Sequence, residues 1–95
     1  GMDVGSSDLN GFVASSVSHE PGIQIRIPGL AVKHHDLKAG DLLELTIRNK
    51  DGQTVDVSRK VQKSGSNHKF YLPKEQRQEL SLESPETVQV FFHKK

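Results

Sequence analysis

The chain has 95 residues, enough for one small domain with a modest core, since only 33% of its residues are hydrophobic. Thirteen Lys and Arg stand against 12 Asp and Glu, a net charge of +1, so the total neither announces nor excludes a polyanionic partner. There is no cysteine, which excludes a disulfide framework and thiolate chemistry.

No apolar run approaches the length of a membrane span and no signal peptide is visible, so a cytoplasmic location is expected. Residues 1–11 are Gly, Ser, Asp and Asn with few apolar side chains. They read as a disordered leader, with Gly1-Met2 as a cloning remnant, before one domain at 12–95. Residues 12–18 suit a first strand, and Glu20-Pro21-Gly22 is a turn. Ile23-Gln24-Ile25-Arg26-Ile27 alternates apolar and polar and predicts a half-buried strand. Pro28-Gly29 opens a short helical or loop segment at 30–37, and Lys38-Ala39-Gly40-Asp41 turns the chain into a strong strand at 42–48.

Asn49-Lys50-Asp51-Gly52 is a hairpin connection, with Asp-Gly supplying the left-handed positions. Residues 54–61 pair back as the next strand, and residues 63–67 turn again. The stretch 67–92 then reads as a short strand, a helix begun at Pro73 and a second strand in which Val88, Val90 and Phe92 alternate with Thr87, Gln89 and Phe91.

The same pattern is written twice. An offset of 45 places Pro28 on Pro73, Leu37 on Leu82 and Asp41 on Glu86. It also places Ile25 and Ile27 on Phe70 and Leu72, and Leu43, Leu45 and Ile47 on Val88, Val90 and Phe92. The order is strand, strand, helix, strand, twice, with halves at about 12–50 and 53–95. Neither half buries enough to stand alone, and interleaving them into a six-stranded barrel removes open sheet edges. The expected core is Ile25, Ile27, Leu37, Leu43, Leu45, Ile47, Phe70, Leu72, Leu80, Leu82, Val88, Val90 and Phe92.

Arg59-Lys60-Val61, then a turn, then Lys69-Phe70-Tyr71-Leu72-Pro73-Lys74-Glu75-Gln76-Arg77 resembles the core of the AbrB/SpoVT group, and Leu37-Lys38-Ala39-Gly40-Asp41-Leu42 resembles its glycine-aspartate turn. The resemblance spans roughly 12–92 through short motifs. It implies a mostly β fold: a cradle-loop barrel, RIFT-like or swapped-hairpin-like, built from two ββαβ halves with pseudo-two-fold symmetry. With both halves in one chain, the pseudo-dimer is internal and a monomer is expected.

The resemblance also implies DNA binding, in the manner of a transcription regulator, through Arg59, Lys60, Lys69 and Arg77. Lys63 and Lys74 complete a basic segment of six residues in which Glu75 is the one acid. Such side chains neutralise phosphates, though a solvated surface is their commoner use. The first half departs from the pattern. Ser15 and Ser16 are expected where Arg59 and Lys60 stand, Gln24 matches Lys69, and Val32 matches Arg77.

Other chemistries find little footing. His34-His35-Asp36 carries adjacent histidines that diverge, and His19, His68 and His93 are scattered, so no metal site is expected. The serines lack a His–acid spacing, Gly40, Gly52 and Gly65 are isolated, and Glu75 and Glu79 are one helical turn apart as solvating pairs often are. Neither catalysis nor a cofactor is expected. The alternative is a protein-interaction or structural barrel that has lost its hold on DNA.

Overall fold

A computed structural model describes residues 11–94 of the chain. Strand β1 (Gly11–His19) turns into β2 (Gly22–Ile27), followed by helix α1 (Gly29–His34) and β3 (Leu42–Arg48). Strands β4 (Thr54–Lys60), β5 (Gln62–Ser64) and β6 (Asn67–Leu72) lead to helix α2 (Lys74–Glu79) and β7 (Thr87–Lys94). The expected leader lies outside the described residues except for Gly11, which already pairs with Phe91 on β7.

All ladders are antiparallel, in the order β4-β3-β7-β1-β2-β6-β5. The two ends of that order are neighbours in the chain, because Val61 alone separates β4 from β5. The sheet therefore curls on itself, and the fold is mostly β and of the β-barrel class. Seven strands form where six were expected, and Val61 is the reason. Its N–H donates to Asp41 O and its carbonyl accepts from Gly40 N, both at 2.8 Å. With both backbone groups turned to the 40–41 turn, the strand breaks there. The expected turn at 63–67 accordingly opens on a short strand.

The offset of 45 holds in every ladder except at the Glu44↔Lys94 pair, where the register shifts. It carries Val17↔Gln24 onto Gln62↔Lys69 and Ala14↔Val88 onto Arg59↔Leu43. Ile25↔Phe70 and Thr46↔Phe91 are their own images. The helices obey it too. Asp36 and Ser81 both sit at φ 51°, and Leu37 N and Leu82 N reach back to Val32 O and Arg77 O. Each is a left-handed helix stop with a buried leucine after it. The ladders place Ala14 and Ser15, not Ser15 and Ser16, at the positions equivalent to Arg59 and Lys60. The expected match is one residue off because no apolar marker in β1 fixes its phase.

One core fills the interior. All the expected core residues are buried except Phe92, which is half-buried against the rings of Phe12 and His35, with centroids 5.3 and 4.3 Å away. Ala14, Ile23, Ala31 and Val61 join them. Strands β2 and β6 meet closely at Gly22, where an added Cβ would stand 2.3 Å from Leu72 O. Among the described residues no helix is long and apolar enough to cross a membrane.

Candidate nucleic-acid interface

Side chains alternate across a strand, so each sheet face is fixed by which residues are buried. On β2 and β6, Ile23, Ile25, Ile27, Phe70 and Leu72 point inward. Gln24, Arg26, Asn67, Lys69 and Tyr71 therefore point outward. Arg26 and Lys69 are direct partners across the ladder. The Arg26 guanidinium donates to Asn67 Oδ1 at 2.7 Å, and Gln62 lies opposite Lys69 from the other side. Tyr71 extends the face toward His19, whose ring meets it edge-on at 5.3 Å.

The neighbouring strands β1, β2, β6 and β5 contain no Asp or Glu. They do contain Arg26, Lys63 and Lys69. Like charges placed opposite each other on a sheet destabilise it. The Arg26–Lys69 pair stands on strands that supply no carboxylate to offset it.

The six basic residues singled out in the sequence divide. Lys69 holds the centre of this face. Lys60, exposed just before buried Val61, points outward at its border, and Lys63 is exposed on the short strand β5. Lys74 is exposed at the start of α2. Arg59 and Arg77 do other work. Arg59 follows Val55 and Val57 on the inward-facing side of β4, opposite buried Leu43. Its Nε is buried without a hydrogen-bond partner among the described residues. It lines a cleft of about 380 Å³ shared with Pro73, Glu75 and Gln76.

Arg77 is a bracket. Its side chain is 17% exposed, and its guanidinium donates to Gly22 O at 2.8 Å and Leu82 O at 3.1 Å while pairing with Glu20 at 3.1 Å. It ties α2 to the β1–β2 turn. Replacing Arg77 by Ala leaves two carbonyls short of a donor, and a loss of about 2 kcal/mol in urea denaturation is expected. An unchanged midpoint would show the bracket to be idle.

The sheet around β3 and β7 has a different character. Glu44 and Asp56 stand on its outer side. The Thr46 hydroxyl donates to Asp56 Oδ1 at 2.6 Å and, with its hydrogen so committed, accepts from His93 Nε2. A register shift at Glu44/Leu45 leaves His93 as the extra residue of a bulge, which turns it onto Thr46. The two regions thus differ in charge: cations without acids on the strands around β2–β6, and Asp56 bound into a polar chain with Thr46 and His93 around β3–β7. His34 is exposed, and His35 leans on Phe92. Among the described residues no three His, Asp or Glu side chains gather to hold a metal ion.

The basic segment stands out in the sequence, whereas Arg26 does not. A signal for it is nonetheless present. Arg26 occupies an outward position in a cleanly alternating strand, and the offset centres the β2–β6 ladder on Ile25↔Phe70, which puts Arg26 opposite Lys69.

No protein-family model matches the sequence, and no curated protein matches it. Among solved structures, the chain is similar to the solution structure of PHS018 from Pyrococcus horikoshii, with 22% sequence identity and a TM-score of 0.68 over 88% of each chain. At that identity the likeness is one of fold.

Proposed function

We propose that this chain is a nucleic-acid-binding barrel, related to the AbrB/SpoVT group and regulator-like in role, which grips phosphates with the outer face of β2 and β6. The carrying observation is the Arg26–Lys69 pair, two cations opposite each other on strands that contain no carboxylate. A phosphate between them relieves their repulsion and releases counterions. Lys60 and Lys63 extend the positive strip toward the β4–β5 break. Counting β4 and β5 as one strand interrupted at Val61 gives a ring of six built from two ββαβ halves, which supports the RIFT-like, cradle-loop assignment. The grip draws on both halves, since Arg26 comes from the first and the lysines from the second.

Fluorescence anisotropy with a labelled oligonucleotide tests the assignment. Replacing Arg26 and Lys69 by Ala is expected to weaken binding and to lower the salt slope by about 0.7 (single strand) to 0.9 (duplex) for each phosphate no longer neutralised. Replacing Lys74 alone is expected to change little. Unchanged affinity in the double variant would show that the β2–β6 face does not hold phosphates and would favour a protein-interaction barrel.

A further inference from the structure

Strand β1 changes neighbours partway along. Residues Gly11 to Ser15 pair with β7, and residues Ser16 to His19 pair with β2. The β1–β2 ladder therefore ends at Ile25, and beyond it the two strands part. The wedge between them is a cleft of about 330 Å³ reaching from β1 to the start of α1 and the tip of the β5–β6 turn. Its apolar walls include Val13, Ile27 and Val32, and its polar rim is Arg26, Asn67 and His68. The matching wedge at the β4–β5 break holds the Arg59 side chain, whereas here the equivalent residue is Ala14.

Two features point to an occupant. Arg26 and Asn67 belong both to the cleft's rim and to the basic face, so a chain bound by its phosphates on β2–β6 runs past the opening. His68 is half-buried, and no hydrogen bond of its ring is formed among the described residues. A planar ring beside aliphatic walls, with a guanidinium and an amide at the mouth, suits a nucleobase: its faces find apolar contact and its edge finds donors and acceptors. In a duplex, base edges are paired and faces stacked, so the cleft takes a base from an unpaired strand.

Resting on the nucleic-acid reading, we propose that the chain prefers single-stranded nucleic acid and seats one unstacked base in the wedge between β1 and β2. The test compares three labelled probes of equal length on the full chain at about 50 mM salt: oligothymidylate, the same backbone with abasic sites, and a duplex. Oligothymidylate is expected to bind about tenfold more tightly than the abasic strand. His68→Ala is expected to shrink that difference and leave affinity for the abasic strand unchanged. Equal, salt-sensitive binding of oligothymidylate and abasic strand would overturn the seated base while leaving the phosphate grip standing. Tighter binding of the duplex, or a full base-dependent difference retained in His68→Ala, would likewise overturn it. Binding of none of the three probes would end both readings.

Discussion

Replacing Leu45 or Val90 by Asp is expected to abolish the cooperative thermal transition. Leu45 lies between Val57 on β4 and Phe92 on β7, and Val90 lies between Phe12 on β1 and Ile47 on β3. Both side chains are essentially inaccessible, at 1% and 0% exposure. An aspartate at either place removes apolar packing and puts a carboxylate among aliphatic neighbours. The combined penalty is on the order of 5 kcal/mol or more. A domain of this size has roughly that much stability in total. Circular dichroism on heating is the measurement. A wild-type melting curve for either variant would mean that the β3–β7 register is wrong, because a shift of one residue moves both side chains to solvent.

Asn49 is the second large effect. It is 4% exposed, and its amide is fully used. Its Nδ2 donates to Leu80 O at 2.8 Å and to Gln53 Oε1 at 2.9 Å, and its Oδ1 accepts from Asp51 N and Gln53 N, both at 2.9 Å. One side chain thus shapes the β3–β4 hairpin and fastens it to the end of α2, in the other half of the chain. Asn49→Ala takes a donor from a carbonyl at a buried helix end and loosens the turn. About 2–4 kcal/mol is the expected loss, which lowers Tm by roughly 10–20 °C in a domain of this size. Asn49→Asp keeps the two acceptor bonds but sets a carboxylate against Leu80 O, and is expected to be at least as damaging. A Tm within a few degrees of wild type for both would show that the hairpin holds without this anchor.

The parts of the fold that depend on local rules are readable from the chain alone. Pro28 and Pro73 each stand immediately before a helix, and the strand alternation picks out the buried residues of β2, β3, β6 and β7. The offset of 45, visible from a few apolar positions, governs the ladders up to the bulge at Glu44/Leu45. What the sequence does not disclose depends on partners far along the chain. Val61 looks like any strand valine until its backbone is seen bonded to the 40–41 turn. Arg77 looks like a free helix cation until Gly22, 55 positions away, is found beneath it. Asn49 looks like an ordinary turn residue until Leu80 is placed over it.

The candidate interface is half legible for the same reason. A cluster of basic residues in sequence mixes the two faces of a strand, so Arg59 groups with Lys60 although alternation sends them to opposite sides. Reading the faces separately removes Arg59 from the outer surface and adds Arg26. Charge near a site is set by what shares its face rather than by what is adjacent in the chain.

A salt titration of oligonucleotide binding by the wild-type chain, repeated with Arg26 and Lys69 both replaced by Ala, measures the phosphate grip of the β2–β6 face. Binding by the wild-type chain is expected to weaken steeply as salt rises, with a shallower, weaker curve for the variant. Absence of binding at about 50 mM salt, or identical curves for the two proteins, would contradict that grip.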